Sequence, residues 1–222
     1  MSFNAVTTSM PAVSASELGA PDIYPVARSA AKRAMDILLS GLALVFFLPI
    51  LVLAAIAIKF DSRGPVLFRQ RRTGLNGQVF MIFKLRSMRV QEDGADIKHA
   101  SKKDDRITRV GALLRKTSVD ELPQLLNVLK GDMSLIGPRP HALSHDQRYT
   151  LLVSGYDQRF RARPGLTGLA QVEGHRGEIH ALECMEKRVA SDNRYIENWS
   201  LWQDVTIILR TIPLVLRDPN AY

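Results

Sequence analysis

The apolar and polar positions of this 222-residue chain divide it into three parts. Residues 1–27 are rich in Ser, Ala, Thr and Pro and have no periodic apolar pattern, which predicts a disordered N-terminal tail. Residues 28–60 contain one long apolar run, and residues 61–222 alternate short apolar stretches with charged ones. The pattern predicts one membrane-inserted segment followed by one folded domain.

The apolar run from Ile37 to Ile58 carries no charged residue and is interrupted near its middle by Pro49. Its length matches the roughly 20 residues that a helix needs to cross the hydrocarbon core of a bilayer. Both flanks are positively charged, and positive residues favour the cytoplasmic side of a membrane. Because proline removes a backbone donor and bends a helix, the pattern predicts a re-entrant helix over residues 28–60 that breaks at Pro49 and returns to the same face. The flanking charges are Arg28, Lys32 and Arg33 before the run and Lys59, Arg63, Arg69, Arg71 and Arg72 after it.

Two other interpretations compete with the re-entrant helix. A signal peptide is disfavoured because the run begins far from the N-terminus, although the stretch from Ala55 to Ala57 resembles a cleavage site. A single membrane span stays open, since proline kinks also occur in helices that cross the bilayer.

The segment from Pro65 to Met88 predicts a β-hairpin, because two runs of β-favouring residues flank a turn with Gly74, Asn76 and Gly77. The remaining periodicity is mostly helical, so the expected fold class is mainly α with this one small hairpin. The C-terminal stretch from Trp199 to Leu216 is amphipathic, which indicates either a helix in the lipid headgroup region or a docked core helix. The other predicted segments are a polar loop or short helix from Gln91 to Asp105, a helix from Gln124 to Leu129 closed by Gly131, a loop from Arg161 to Gly177 and a helix from about Glu178 to Tyr195.

Composition narrows the function classes. Thirty Lys and Arg against 22 Asp and Glu give a net charge of +8, so anionic partners are expected: nucleic acid, phosphorylated metabolites or anionic lipid. Aromatic residues are sparse, at 7% of the chain, which argues against nucleic acid. The single cysteine, Cys184, excludes a disulfide framework, and the five scattered histidines do not indicate a zinc site. Neither a phosphate loop nor a G-x-G-x-x-G motif is present, which excludes a doubly wound nucleotide-binding fold.

The strongest chemical signal is an adjacent acid pair, Asp120 and Glu121. Proline is best tolerated in the first turn of a helix, so Pro123 predicts a helix that begins near Asp120, where the helix dipole stabilises an ionised carboxylate. Such a carboxylate can attack phosphorus as a nucleophile, or it can hold a Mg²⁺ ion against a diphosphate. A purely structural alternative exists, because Ser118 and Glu121 have the spacing of a capping box.

Positive residues around the acid pair favour the chemical interpretation. The planar fork of arginine suits phosphate oxygens, and the two prolines that flank Arg139 stiffen the backbone that presents it. The sequence therefore predicts chemistry on a phosphorylated substrate at a membrane surface. The candidate phosphate-binding residues are Lys84, Arg86, Arg109, Arg115, Lys116 and Arg139.

Several separated motifs resemble those of the bacterial polyprenyl-phosphate sugar-1-phosphate transferases, also called monotopic phosphoglycosyl transferases. The resemblance covers nearly everything from Lys32 to Ile212. It rests on the stretches KRAMDILLS, GPVLFRQRRTGLNGQVFMIFKLRSM, DRITRVGALLRKTSVDELPQLLNVLKGDMSLIGPRP, RPGLTGLAQV and YIENWSLWQDVTIILRT.

The resemblance implies a re-entrant membrane helix broken at Pro49 and a catalytic domain, residues 61–222, at the cytoplasmic face of the bacterial inner membrane. It also implies a two-step exchange in which the carboxylate matching Asp120 attacks the β-phosphate of a UDP-sugar and releases UMP. Undecaprenyl phosphate then takes the phosphosugar from the enzyme. Glu121 matches the second acid of the family, and Mg²⁺ is the implied cofactor, held in part by Asp120. The implied phosphate-binding positions are Arg115 and Arg139, with Lys84 and Asp204 as further matches.

The stretch from Gly168 to Glu178, GLAQVEGHRGE, is similar to that of members that transfer glucose-1-phosphate, although His175 replaces an expected aromatic residue. Galactose-1-phosphate members often have Gly-Arg-Asn there. The expected donor is therefore UDP-glucose, with UDP-galactose as the alternative. The chain also lacks the multi-span N-terminal module of longer relatives, so it resembles the minimal catalytic form.

Two functions from other classes stay open at this point. One is a membrane-anchored basic adaptor that binds lipid headgroups, and the other is a Mg²⁺-dependent hydrolase of diphosphates. The adaptor needs positive charge but no acid pair, so Asp120→Asn discriminates between it and an enzyme. The expected partners of the transferase are a UDP-sugar, undecaprenyl phosphate and membrane lipid, without nucleic acid, and the oligomeric state, including a homodimer, is left open.

Overall fold

The computed structural model describes residues 24–89, 104–175, 177 and 179–217. Most of the predicted tail, the predicted polar segment up to residue 103, and Arg176 and Glu178 of the glucose-associated stretch lie outside the described residues. The last part of the predicted tail, residues 24–27, belongs to the folded structure, because Val26 is buried in the largest core cluster.

The described residues are mainly helical, as predicted, with one antiparallel hairpin and one short parallel strand pair. The helices are α1 (Pro25–Arg28), α2 (Ala30–Asp61), α3 (Arg109–Lys116), α4 (Gln124–Lys130), α5 (Leu143–Leu152), α6 (Leu169–Val172), α7 (Leu182–Glu197) and α8 (Leu201–Arg217). The strands are β1 (Leu67–Thr73), β2 (Val79–Leu85), β3 (Ser134–Ile136) and β4 (Gly165–Thr167). Short 3₁₀ turns lie at Leu75–Gly77, Val119–Glu121 and Asp157–Arg161.

The longest helix, α2, contains the predicted apolar run. The side chain of Ser29 accepts a hydrogen bond from the backbone N–H of Lys32 at 3.2 Å and so caps the start of the helix. Apolar side chains in the middle of α2 are exposed, and Val45 and Phe46 are 74% and 73% accessible. The helix is long and apolar enough to cross a membrane. An exposed apolar surface of this size is typical of a membrane or protein contact.

Pro49 lies inside α2, and the helix continues on both sides of it. The predicted break of the helix at Pro49 is therefore wrong, since α2 is continuous through this residue. Proline can bend a helix without ending it, because it removes one hydrogen bond and crowds the preceding turn. The return of α2 to the same membrane face stays a prediction.

Both ends of α2 contact the folded domain. Near the N-terminal end, Asp36 accepts hydrogen bonds from Ser134 Oγ at 3.0 Å and from the backbone N–H of Leu135 at 2.9 Å. Near the C-terminal end, Ile58 packs in a buried apolar cluster with Leu85 of β2. The exposed apolar surface of α2 lies between these two contacts.

The predicted hairpin is present. Strand β1 pairs with β2 in antiparallel register from Leu67, opposite Leu85, to the turn. The turn uses Asn76 (φ 54°) and Gly77 (φ 76°), the two residue types that best tolerate the left-handed region. The hairpin places Lys84, near the end of β2, beside the acid pair.

The Gly-Pro-Arg-Pro loop follows β3, which pairs in parallel with β4. Strand β4 and helix α6 lie inside the segment predicted as a loop, so that prediction is wrong for these residues. Gly137 has no room for a side chain, because an added Cβ would lie 2.3 Å from the carbonyl oxygen of Arg163. The strand pair therefore brings the loop into direct backbone contact with the segment around β4.

The C-terminal helix α8 docks on the largest core cluster through Ile207, which is buried. Its opposite face exposes apolar side chains, including Trp202, which is 75% accessible, and Leu209. The interpretation as a docked core helix is confirmed for the first face. The placement of the second face in the headgroup region stays a prediction. The helix predicted from about Glu178 is α7, and it begins later, at Leu182.

Candidate active site

The acid pair lies in the 3₁₀ turn Val119–Glu121, between α3 and α4. Ser118, just before the turn, has a left-handed backbone conformation (φ 56°) that separates the turn from α3. Helix α4 begins at Gln124 with Pro123 at its N-cap, so the prediction of a helix that begins at the acid pair is wrong. Pro123 has no N–H to donate to the carbonyl of Val119, so an α-helix through this turn would lack a hydrogen bond.

Glu121 is held by two cations. Lys84 Nζ lies 2.8 Å from Glu121 Oε1, and the Arg139 guanidinium donates from Nη1 to Oε2 at 3.1 Å and from Nη2 to Oε1 at 2.5 Å. Burial by itself raises the pKa of Glu121, but the charges and hydrogen bonds of Arg139 and Lys84 hold that pKa well below its usual value. The capping-box alternative is wrong, since the Glu121 carboxylate binds these side chains and Ser118 makes no side-chain cap.

Asp120 has a different environment, although it is the next residue in the chain. Within the part of the chain that the structure describes, no donor lies within hydrogen-bonding distance of its carboxylate. The residue is 8% exposed. Burial, with a smaller contribution from the charge of Glu121, raises the pKa of Asp120 to about 6 against the opposing charges of Lys84, Arg115 and Arg139. The carboxylate is therefore surrounded by charges but is not engaged by any described donor.

Helix α3 places Arg115 near the acid pair. The helix is capped by Thr108, whose side chain accepts a hydrogen bond from the backbone N–H of Gly111 at 3.0 Å. A Cβ on Gly111 would lie 2.0 Å from the carbonyl oxygen of Ser87, so glycine lets α3 approach the end of the hairpin closely. Arg115 is in the last turn, and its Nη1 lies 3.8 Å from Met88 Sδ.

Five of the predicted site residues therefore come together, from four segments of the chain. Three cations surround two carboxylates, of which Glu121 is hydrogen-bonded to cations and Asp120 has no described donor. Such an arrangement can bind a diphosphate and present an oxygen nucleophile to it. The five are Lys84, Arg115, Asp120, Glu121 and Arg139.

Arg86 does not lie in this cluster. Its guanidinium is buried and donates to the carbonyl oxygens of Ser62 and Arg63, each at 2.6 Å. These carbonyls follow the C-terminal end of α2, so Arg86 attaches that end of α2 to the hairpin. The prediction that Arg86 binds phosphate is not supported by this placement.

Asp204 is also separate from the acid pair. It is 0% exposed, and its carboxylate accepts hydrogen bonds from Lys32 Nζ at 2.8 Å, Tyr195 Oη at 2.7 Å and Trp199 Nε1 at 3.0 Å. These partners join α2, α7 and α8. The structure therefore shows Asp204 as a buried ion-pair partner of Lys32, and its role at the substrate stays a prediction.

Sequence reasoning missed a second buried polar cluster, which lies behind the Gly-Pro-Arg-Pro loop. Arg159 Nε donates to Asp192 Oδ2 at 2.8 Å, and Tyr156 Oη donates to Asp146 Oδ1 at 2.6 Å. His141 Nδ1 lies 2.6 Å from Tyr156 Oη. Burial lowers the pKa of His141 well below its usual value, and the surrounding arginines lower it further. The contacting pairs are 10 to 33 residues apart in the chain, so no local spacing in the sequence marks them.

The acid pair fits one kind of metal site. Among the described residues, no three His, Cys, Asp or Glu side chains converge on one point. A Mg²⁺ ion is usually held by one or two carboxylates together with phosphate oxygens of the substrate. Asp120 offers a carboxylate of this kind, because its oxygens are not engaged by described donors.

Comparison with known proteins gives consistent results. A family model described as bacterial sugar transferase matches residues 27–218. A Caulobacter vibrioides protein named UDP-glucose:undecaprenyl-phosphate glucose-1-phosphate transferase is 56% identical over 191 residues, which cover 86% of this chain and 72% of that protein. A Klebsiella pneumoniae protein of the same name is 50% identical over 191 residues, which cover 86% of this chain. An exopolysaccharide production protein of Rhizobium leguminosarum bv. phaseoli is 48% identical over 185 residues, which cover 82% of this chain and 92% of that protein.

The relatives differ in length. The chain spans 41% of the Klebsiella protein but most of the Caulobacter and Rhizobium proteins. The family match extends from α1 to α8 and includes every residue of the acid-pair cluster. The resemblance predicted from the motifs is therefore confirmed, and this chain belongs to the bacterial sugar transferase family.

Proposed function

We propose that this chain transfers a hexose-1-phosphate from a UDP-sugar to undecaprenyl phosphate through a phosphosugar intermediate on Asp120. In the first step, an oxygen of the Asp120 carboxylate attacks the β-phosphorus, the bond from that phosphorus to the bridging oxygen breaks, and UMP leaves. In the second step, a phosphate oxygen of undecaprenyl phosphate attacks the same phosphorus, the acyl phosphate bond breaks, and the carboxylate is regenerated. The product is an undecaprenyl-diphosphate sugar.

The contrast between the two adjacent carboxylates carries this proposal. Glu121 is occupied by Lys84 and Arg139, so its oxygens are not free to attack. Asp120 has no described donor, and its pKa of about 6 leaves most of it ionised at neutral pH. In this scheme Glu121 holds the two cations where a diphosphate meets them, and Asp120 supplies the nucleophile.

Mg²⁺ is the proposed cofactor. Bound to a carboxylate oxygen of Asp120 and to phosphate oxygens of the donor, it would neutralise the negative charge of the diphosphate. The protein cations Lys84, Arg115 and Arg139 add positive charge around the same region. They orient the donor and stabilise the negative charge of the leaving UMP.

The proposed location is the cytoplasmic face of the bacterial inner membrane, with α2 as a re-entrant helix. Two observations support this arrangement. Both ends of α2 contact the same folded domain, at Asp36 and at Ile58, while most of the large apolar side chains between them are exposed. Helix α8 exposes a further apolar face with Trp202, which suits a helix in the headgroup region. A soluble UDP-sugar and a lipid acceptor can meet only at such an interface.

UDP-glucose is the proposed donor. The Caulobacter and Klebsiella relatives are named as transferases of glucose-1-phosphate from UDP-glucose, and the Rhizobium relative is named for exopolysaccharide production. We infer that the product of this chain begins the assembly of a lipid-linked exopolysaccharide. UDP-galactose is the alternative donor.

The test offers the purified protein a panel of UDP-sugars labelled in the sugar, with Mg²⁺ and undecaprenyl phosphate in detergent. We expect UMP release and a labelled lipid with one donor, and loss of both when EDTA removes the metal. Without the lipid acceptor, label should stay on the protein and be released by hydroxylamine, which cleaves acyl phosphates. UDP-sugar consumption that proceeds without lipid would instead indicate a hydrolase. Binding to lipid vesicles without consumption of any UDP-sugar would indicate the basic adaptor.

A further inference from the structure

The Gly-Pro-Arg-Pro loop is held in place by its carbonyl oxygens. Pro138 and Pro140 have no N–H, so the loop has few donors of its own with which to fix its position. Three successive carbonyls instead accept hydrogen bonds from three different parts of the fold. Pro138 O accepts from the N–H of Gly165 at 2.9 Å, Arg139 O from Nη2 of Arg159 at 2.7 Å, and Pro140 O from Nη1 of Arg72 at 3.3 Å.

Of these three contacts, the one from Arg159 acts on Arg139 itself. Arg159 is 3% exposed and is fixed from behind by the buried carboxylate of Asp192, at 2.8 Å. Its guanidinium carbon lies 4.9 Å from the ring centre of Tyr156, which supports it on one side. A planar guanidinium that is held by an ion pair and a ring has little freedom to move. Helix α7, which carries Asp192, thus sets the position of the Arg139 backbone.

The side chain of Arg139 extends from this fixed backbone to the acid pair. Its two nitrogens reach both oxygens of Glu121, and such a bidentate pair depends on orientation as well as distance. A shift of the Arg139 backbone would therefore change how the guanidinium meets Glu121 and a bound phosphate. Arg159 itself has no hydrogen bond to the acid pair among its described contacts.

We propose that Arg159, braced by Asp192, is a positioning residue for Arg139 in the transfer reaction. This inference rests on the proposed function, because it assumes that Arg139 acts on the diphosphate of the donor. Arg159 does not touch the substrate in this scheme. It fixes the carbonyl of Arg139, and through it the guanidinium that binds Glu121.

The first experiment measures kcat/KM for UMP release from UDP-glucose with Arg159→Lys, per mole of monodisperse protein. Lysine keeps the positive charge beside Asp192 but cannot reach both the carboxylate and the carbonyl in the same plane. We expect kcat/KM to fall about 10- to 100-fold, as for a displaced catalytic group. The matched control is Arg163→Lys, since Arg163 also donates to two backbone carbonyls, those of Gly131 and Ala27, but not to the loop. Equal losses in the two variants would overturn the proposal.

The second experiment tests whether Arg159 acts through Arg139. In an Arg139→Lys background, Arg159→Lys should cause little further loss of kcat/KM, because the group that it positions is already gone. Full multiplication of the two losses would show an independent structural effect and would overturn the proposal. If Arg159→Lys does not yield monodisperse protein, Asp192→Asn replaces it, because this change loosens Arg159 without removing it. Asp192→Asn is then measured alone and together with Arg139→Lys, and it should again cause little further loss of kcat/KM in the double variant. Failure of the wild-type protein to release UMP from any UDP-sugar would contradict the proposed function instead.

Discussion

Two buried aspartates of this chain, Asp120 and Asp204, have opposite environments. Asp204 is 0% exposed, and its carboxylate accepts hydrogen bonds from Lys32, Tyr195 and Trp199. Asp120 is 8% exposed and accepts none from the residues that the structure describes. Both residues lie in motifs that resemble the same transferase family, so the motifs alone do not separate them.

The difference shows how the surroundings of a carboxylate indicate its role. A buried charge is costly unless partners satisfy it, and the three partners of Asp204 join α2, α7 and α8 in doing so. Among the described residues, Asp120 is stabilised by cations that do not contact it directly, and its pKa is raised to about 6. A carboxylate left in this condition is expected where a ligand supplies the missing partners. We therefore propose a structural role for Asp204 and a catalytic role for Asp120.

Replacing Asp120 should have the greatest effect on activity. Asp120→Asn keeps the shape of the side chain but removes the proposed nucleophile, so kcat for UMP release should fall by a factor of about 10⁴ or more. The protein should also no longer take up label from UDP-glucose in the absence of lipid. Asp132→Asn removes a carboxylate that pairs with Lys130 but keeps an oxygen that can accept the hydrogen bond from Asn127 Nδ2, so this variant should keep the wild-type rate. A labelled and active Asp120→Asn variant would exclude Asp120 as the nucleophile.

The second prediction tests whether Glu121 and Asp120 have different roles. Glu121→Gln removes the charge that holds Lys84 and Arg139, and kcat/KM should fall about 10²-fold as their positions relax. Label from UDP-glucose should still accumulate on the protein, more slowly, because the Asp120 carboxylate remains. Stopped time courses of labelling measure this directly. Complete loss of label in Glu121→Gln, with label retained in Asp120→Asn, would reverse the two roles.

The third effect tests the other side of the comparison. Asp204→Asn removes the carboxylate in direct contact with the buried ammonium of Lys32, so the protein should lose about 3–5 kcal/mol of stability. The rate per folded molecule should stay close to that of the wild type. Thermal midpoints in detergent give the first quantity, and UMP release well below the midpoint gives the second. The control is again Asp132→Asn, whose more exposed ion pair contributes about 1 kcal/mol or less. If Asp204→Asn slows UMP release but leaves the thermal midpoint unchanged, Asp204 acts in the reaction and not only in the fold.

The smallest effect concerns His141, in the buried cluster behind the loop. Its pKa is well below 6.5 in the folded state, so below about pH 6.5 the unfolded chain binds a proton that the folded chain does not. The histidine therefore contributes stability that is present above pH 6.5 and is lost as the pH falls toward the folded-state pKa, by up to about 1.4 kcal/mol per pH unit.

Thermal midpoints between about pH 7.5 and about pH 5.5 measure this loss. Because other groups of the protein titrate in the same range, the comparison is with His141→Gln, which keeps a polar side chain and lacks the proton site. The variant should show a shallower decline in midpoint than the wild type. Parallel declines would show that His141 is protonated at a normal pKa in the folded protein.

Local sequence signals predicted the elements that local chemistry controls. The hairpin followed from its β-favouring runs and from Asn76 and Gly77, which adopt the left-handed conformation that the turn requires. Gly131 ends α4 because glycine readily adopts the left-handed conformation of a helix C-terminus, here with φ 93°. The helix predicted from Gln124 to Leu129 is confirmed, whereas the start near Asp120 that Pro123 suggested is wrong, because the acid pair forms a separate 3₁₀ turn before Pro123.

The candidate site was predictable only as a set of charged residues. The motifs brought out Lys84, Arg115, Asp120, Glu121 and Arg139, and the structure brings all five together. The same motifs also suggested Asp204, which is a structural ion-pair partner. Arg159 was not found, because its contact to the carbonyl of Arg139 crosses 20 residues and carries no local pattern.

Residue types and near neighbours are enough to predict the apolar segment, the hairpin, the helical class and the adjacency of the two acids. Which of the two acids contacts cations depends on the tertiary fold. Lys84 and Arg139 lie 37 and 18 residues from Glu121 in the chain, and both donate hydrogen bonds to its carboxylate oxygens. Neither donates a described hydrogen bond to Asp120. Hydrogen bonds act over about 3 Å, so the roles of two neighbouring carboxylates depend on which distant side chains the fold brings within that distance.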